Sequence, residues 1–326
     1  MDEQSTQDIM VREESSSQVI PVAQQNYIHA ATSSNTRKAY QQDVRHFIAW
    51  GGLLPTTPDM IVRYLEYYAT QLNSRTLIRR VTAIKNWHVY QGFMDPTTHF
   101  LVRKTLIGIQ KIHGKPKNKA PALQVKDLAT MINFLRTRGK LSDWRNSALL
   151  QIGFFGAFRR SELVKIQYEH LQFLPKGIEI LIPRSKTDQF GDGQRCAIPY
   201  GDAILCPVLA LKAWCEKAQI KSGYIFKSIS RGGALDKEAI APGHLNIILK
   251  TLAKLCNLEN AANYSSHSLR RGFATTASQQ GASLSAIMRQ GRWQHSDTAL
   301  SYIEAGQRFE DNAASIILRT GARNNE

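Results

Sequence analysis

From residue 157 onward the sequence carries polar residues whose types and order could do chemistry on phosphorus. Arg159 and Glu162 stand in Ala157-Phe-Arg-Arg-Ser-Glu-Leu163, Lys186 lies between Ser185 and Thr187, His267 and Arg270 are three apart, and Trp293 follows Gly291-Arg292. Tyr302 comes nine residues after Trp293. Breaking a phosphodiester without a metal takes a nucleophile, cations for the charge on the pentavalent phosphorus, and an acid for the departing oxygen. A guanidinium is planar, permanently charged and able to hold two phosphate oxygens at once, so Arg159 and Arg270 are the candidates for the cations. Lys186 can deliver a proton if neighbouring cations lower its pKa. Trp293 donates only its indole N–H, which suits binding a phosphate oxygen and not acid catalysis. Tyr302 attacking phosphorus would conserve the bond energy in a phosphotyrosine, so that rejoining needs neither ATP nor a cofactor.

Each residue also has a plainer reading. Arg160 stands beside Arg159 as the alternative, and the two-residue gap to Glu162 favours Arg159. His267 alone reads as a structural histidine, Lys186 as an ordinary hairpin lysine, and Trp293 and Tyr302 as core aromatics, which leaves the basic set upstream unexplained. Other enzyme signatures fail on spacing. Gly108 to Gly114-Lys115 has one residue too many for a phosphate loop and Pro116 where a hydroxyl is needed, and Gly191-Asp-Gly193 lacks the third glycine of a dinucleotide turn. Cys196, Cys206, Cys215 and Cys256 form no C-x-x-C pair and read as reduced thiols. No metal site and no cofactor are expected.

The 42 lysines and arginines outnumber the 26 acids by 16. Residues 1–24 hold five acids and one base, so the remaining body is near +20. Such a surplus favours a polyanionic partner, most often nucleic acid. The bases spread from Arg37 to Arg323 and form no concentrated amphipathic helix, which argues against a membrane surface. Ile152 to Phe158 is far below the ~20 apolar residues of a membrane span. The N-terminus lacks a secretion signal, and a cytoplasmic protein is expected.

Length and hydrophobic patterning give the elements that must position these residues. The 326 residues suit two domains. Residues 1–20 read as a disordered leader, and 21–112 as four short-looped helices, the second opening at Thr57-Pro58 and the fourth at Asp95-Pro96. Residues 113–121 combine helix breakers with three lysines and read as an exposed linker. From 122 to 326, helices are expected at about 125–138, 143–157, from Arg159, and at about 206–218, 242–256, 268–279, 284–290 and 296–304. One small antiparallel sheet, 177–183 with 195–199, interrupts them.

This ordered set resembles the signature of tyrosine recombinases, the phage-integrase family, over roughly residues 20–326. Trp293 where most members have histidine, and the lack of an extra N-terminal arm-binding domain, make it similar to the Cre-type branch. The resemblance implies a mainly α fold with a small antiparallel β-sheet: a SAM-like helical core-binding domain and a mixed catalytic domain ending in an exchange helix. It implies site-specific recombination of double-stranded DNA through a covalent 3′-phosphotyrosine, catalysed by Arg159, Lys186, His267, Arg270, Trp293 and Tyr302, with Glu162 orienting an arginine. It also implies a homo-tetramer on DNA in which the C-terminal helix passes to a neighbour, and a nucleoid-associated protein of prokaryotic or phage type. Phe309, Ala313, Ile316, Ile317 and Leu318 form the apolar stripe for that exchange, packing in cis being the alternative. Arg75, Arg79, Arg80 and Lys85 on the third helix, Lys115, Lys117 and Lys119 in the linker, and Arg292 are the candidates for DNA contacts. A non-catalytic sequence-specific DNA-binding regulator and a type IB topoisomerase-like nicking-closing enzyme are the competing readings.

Overall fold

The computed structural model describes residues 31–183, 193–202, 204–306 and 314. The chain divides into two compact units, residues 1–118 and 119–326.

In the first unit, helix starts follow from side chains that cap unpaired backbone N–H groups. Ser33 accepts from the Thr36 amide at the head of α1 (Ser34–Ala49), Thr57 from Met60 at α2 (Pro58–Tyr68), and Asn73 from Arg75 at α3 (Ser74–Tyr90). The fourth helix differs from the sequence expectation. Asp95 accepts from both the amide and the hydroxyl of Thr97, which tightens Pro96–Thr98 into a 3-10 turn, and His99 is extended before α4 (Phe100–His113) begins. Phe47, Ile61, Tyr64, Leu65, Leu77, Ile84 and Val102 fill the core between the helices.

One carboxylate is buried in this unit. Asp43 is 2% exposed and receives Arg79 through Nε at 2.7 Å and Nη2 at 2.9 Å, with Arg80 Nε at 3.6 Å. Arg80 also donates to Tyr64 Oη at 3.0 Å and His46 Nδ1 at 2.9 Å. Burial and the Arg80 charge hold His46 below its ordinary pKa, while burial lifts the Tyr64 hydroxyl to about 12.

The second unit is built around α6 (Leu141–Phe155), every residue of which from Ala148 to Phe154 is buried, the single polar one being Gln151. Around it lie α5 (Val125–Arg138), which ends at Gly139 with φ 66°, α8 (Pro207–Lys217), α9 (His244–Leu255) and α10 (Ser266–Gln279). A short α7 (Arg160–Leu163) follows α6, and α11 (Leu284–Gly291) and α12 (Ser296–Gly306) follow α10. Ala274, Ile287, Trp293 and Ala299 form a satellite core that holds α10, α11 and α12 together. Gly272 lets α10 approach the segment before α5: a Cβ there would lie 2.0 Å from the Leu123 carbonyl oxygen.

The sheets exceed the expectation of one two-stranded ribbon. β1 (Leu171–Leu174), β2 (Gly177–Ile182) and β3 (Gln194–Pro199) pair antiparallel in that order, with Ile180 opposite both Leu171 and Cys196. β4 (Lys227–Ile229) and β5 (Leu235–Ala239) form a second ribbon. Strand β1 is only four residues long, and β5 reads Leu-Asp-Lys-Glu-Ala with an exposed polar middle, so neither shows apolar alternation. The third expected helix, from Arg159, is only the four residues of α7, because Gln167 leaves to bridge Tyr224. The fold is mainly helical with small antiparallel sheets.

Asp43→Ala should destabilise the first unit by about 3–5 kcal/mol, because Arg80 is then a buried cation without its countercharge. Urea unfolding of the full chain measures this, and a loss below ~1 kcal/mol would show that the ion cluster is dispensable.

Candidate active site

Three chain turns meet in the second unit. The first follows α6, where Ala157 sits at φ 45°, a left-handed conformation unusual for a residue with a Cβ. Arg159 then caps α7. The Glu162 carboxylate accepts from the Arg159 amide at 3.0 Å and from Arg159 Nη1 at 2.6 Å. Arg160 is exposed, so Arg159 is the member of the pair that faces Glu162.

Helix α10 supplies the second. Ser265 caps it by a reciprocal exchange, accepting from the helix start while its own amide donates to Ser268 Oγ at 3.0 Å. His267 lies exposed in the first turn, and Arg270 lies one turn on and 4% exposed, so the two share a face. The Arg270 guanidinium donates through Nη1 to the Ala157 carbonyl and through Nη2 to the Gly291 carbonyl. Burial, reinforced by Arg159 and Arg292 nearby, pushes its pKa down to about 9, still charged at neutral pH.

The third turn closes α11. Arg292 is its left-handed cap at φ 54°, and Trp293 follows, 8% exposed. Trp293 lies under Arg270, whose Cζ is 4.3 Å from the ring centroid, and meets the Tyr302 ring edge-on at 5.8 Å and 65°. Only glycine fits before this pair, since a Cβ on Gly291 would lie 1.9 Å from the Trp293 ring. Tyr302 is half-buried on α12, its carbonyl accepting from Thr275 Oγ1 at 3.1 Å.

The structure therefore brings together Arg159, Glu162, Arg270, Arg292, Trp293 and Tyr302, with His267 at the rim of the same α10 face. Lys186 lies outside the described residues, as do the leader and Phe309, Ala313, Ile316, Ile317 and Leu318. Arg75, Arg79, Lys85, Lys115 and Lys117 are exposed on the first unit, Lys85 being 3.6 Å from Asp95, and Lys119 is exposed at the start of the second. Arg80 is turned inward onto Asp43, and Arg292 is buried, its guanidinium 3.5 Å from Glu162.

Two contributors escaped the sequence reading. Arg271 donates to the Ala120 carbonyl and stands 5.4 Å over the Tyr302 ring; its place next to Arg270 was the only signal. Gln290 braces the site by donating to the carbonyls of Phe155 at 2.9 Å and Ala197 at 3.0 Å, and no sequence pattern marks it. Among the described residues, no group of three histidines, cysteines or carboxylates is placed to hold a metal, and no helix is long and apolar enough to cross a membrane.

Three guanidiniums gathered around one carboxylate make a site for an anion. Sulfate, as a tetrahedral probe, should raise the melting temperature at neutral pH by favouring charged Arg270. The gain should fall away as pH rises through about 9, where Arg270 loses its proton in the folded state. Thermal shift with and without sulfate tests this, with Arg270→Gln as the variant expected to lack the gain at every pH. An equal gain in wild type and variant would place the anion elsewhere.

The phage integrase family model matches residues 121–308. An integrase/recombinase xerD homolog of Selenomonas ruminantium is 39% identical over 296 residues, covering 88% of this chain and 86% of that protein. Among solved structures, a lambda integrase dimer bound to a COC′ core site has a TM-score of 0.60 at 15% identity, covering 86% of this chain and 75% of that one. The site-specific recombinase XerH, in a post-cleavage complex with palindromic difH substrate, gives 0.58 at 19% identity, covering 80% and 72%. At these identities the likeness to the solved structures is one of fold. With the family model spanning more than half of the chain and a relative at 39% identity along most of its length, the chain belongs to the phage integrase family and is a tyrosine recombinase.

Proposed function

We propose that the protein is a site-specific recombinase of double-stranded DNA that cuts and rejoins strands through a phosphotyrosine at Tyr302. The observation that carries this reading is the convergence of Arg159 and Arg270 with Trp293 and Tyr302 in one cluster. The structural neighbours named as complexes with a core site and with difH agree with a DNA substrate.

In this mechanism Arg159 and Arg270 hold the non-bridging oxygens of the scissile phosphate, and their bonds strengthen as charge grows toward the pentavalent state. Exposed His267 and the Trp293 indole add donors at the rim. The Tyr302 oxygen, its proton passing to water, attacks phosphorus, the bond to the 5′ oxygen breaks, and that oxygen takes a proton from Lys186. A 5′ hydroxyl from a second duplex then attacks the phosphotyrosine and releases Tyr302, so one ester replaces another and no ATP is used. The exposed bases Arg75, Lys85, Lys115, Lys117 and Lys119 neutralise backbone phosphates, whereas the fork of Arg79 is held by Asp43. Recombination is completed in a homo-tetramer, with the segment from Phe309 to Leu318 docked on a neighbour, and the protein works in the cytoplasm.

Tyr302→Phe should still bind DNA but give no covalent adduct with a nicked suicide duplex, because the ring remains and the nucleophile is gone. Wild-type adduct formation should persist in excess EDTA, since guanidiniums balance the phosphate charge; loss restored by magnesium would contradict the mechanism. A two-site plasmid assay separates strand exchange from nicking and closing alone.

Deleting residues 307–326 should leave single-site binding intact and abolish cooperative binding of a second subunit, since each buried aliphatic side chain contributes ~1.5–3 kcal/mol. Gel-shift cooperativity beside a melting curve decides. A truncated protein that melts much lower yet binds cooperatively would mean that the tail packs in cis.

A further inference from the structure

Resting on that reading, we propose that Arg292 is a positioning residue: its buried guanidinium supplies the countercharge of Glu162, leaving Arg159 to act on the substrate phosphate. The Glu162 side chain is only 3% exposed, and a carboxylate that deep needs cationic partners. Two reach it: Arg159 Nη1 at 2.6 Å from Oε1 and Arg292 Nη2 at 3.5 Å from Oε2. If Arg159 were its sole countercharge, the pair would be neutral, and phosphate would have to compete with Glu162 for the same fork. With Arg292 present, the carboxylate is balanced from behind and the cluster keeps the two positive charges that Arg159 and Arg270 bring.

The placement of Arg292 fits this task. Its side chain is 5% exposed, donates to the carbonyls of Gln290 at 2.8 Å, Gly156 at 3.1 Å and Ala157 at 3.4 Å, and lies 4.6 Å over the Phe158 ring. Its guanidinium is therefore turned into the protein, away from any DNA backbone. Its own backbone stands at φ 54° and ψ 45°, a conformation that suits glycine, so a long cation is held where glycine would be the less strained residue. The Ala157 carbonyl that Arg292 touches also accepts from Arg270. Arg292 thus joins the Arg159 turn to the α11 cap that carries Trp293, and a neutral side chain could fill that space without balancing Glu162.

Arg292→Gly provides the test, because it removes the cation while easing the left-handed backbone. The chain is assayed on a nicked suicide duplex bearing the site selected from random DNA. Adduct formation by Arg292→Gly should fall about 100-fold, the scale of losing one group that stabilises transition-state charge. Glu162→Gln alone should cost on the order of tenfold, and Arg292→Gly with Glu162→Gln should recover to within about twofold of Glu162→Gln, well above Arg292→Gly. Loss of a mere structural bolt predicts the opposite, since removing both of its ends restores nothing. A methylphosphonate at the scissile position, which removes one phosphate charge, should shrink the Arg292→Gly defect if the role is electrostatic. The sulfate thermal shift should vanish in Arg292→Gly and return in the double variant, a readout that needs no DNA. An unimpaired Arg292→Gly, or a double variant no better than it, overturns the proposal; a wild type that forms no adduct overturns the recombinase reading itself.

Discussion

The guanidinium of Arg270, hung between the carbonyls of Ala157 and Gly291, is the interaction on which the rest of the site depends. Those carbonyls belong to turns far apart in sequence, and each is presented beside a residue in the left-handed region, Ala157 itself at one turn and Arg292 at the other. The helix that carries Arg270 can reach them only because α10 packs closely: a Cβ on Gly153 would lie 3.0 Å from Leu269, and one on Gly272 would strike the Leu123 carbonyl. Small residues in the core thus set the depth of a charged group at the surface of the site. Trp293 completes the arrangement, with Arg270 over its face and Tyr302 against its edge, so the two groups to which the proposed mechanism gives charge stabilisation and attack share one aromatic platform.

Electrostatics explains why so much structure surrounds one side chain. A buried arginine among other arginines opposes folding, and the lowered pKa of Arg270 expresses that cost. Backbone carbonyls and the Glu162 carboxylate offset part of it and leave the site short of negative charge. In the proposed mechanism an incoming phosphate supplies that charge, and stability withheld in the free protein would become binding and transition-state stabilisation with substrate present. The first unit settles the same problem differently: Asp43 balances Arg79 and Arg80 internally, and the bases left to meet an anion there are exposed ones such as Arg75.

Much of this was legible in the sequence, for physical reasons. Helices with apolar periodicity and a clear start or stop residue appear where expected; α5, stopped by Gly139, and α8, opened by Pro207, differ from the sequence ranges by at most a residue at either end. The family followed from the ordered set: chemistry restricts the residue types, and their order and spacing along the chain are the part that resembles the family. Local pattern could not give β1 and the β4–β5 ribbon, which are short and half-exposed, since such strands are stabilised by pairing and not by apolar alternation. Nor does sequence distinguish an arginine that faces solvent from one that faces a carboxylate. Arg75 and Arg79 are both exposed, yet Arg79 is turned onto Asp43, and Arg292 turns inward where Glu162 and three carbonyls receive it.

The central claim is that the arginine cluster beside Trp293 presents a DNA phosphate to Tyr302 and to no other nucleophile. Its most direct test is to trap the wild-type protein on a suicide duplex, digest both partners, and identify by mass spectrometry the peptide that carries the nucleotide. A single modified peptide, with the 3′ phosphate attached to Tyr302, is the result this account requires. A nucleotide on Tyr264, on a serine, or on no peptide while strands are still cut would contradict it.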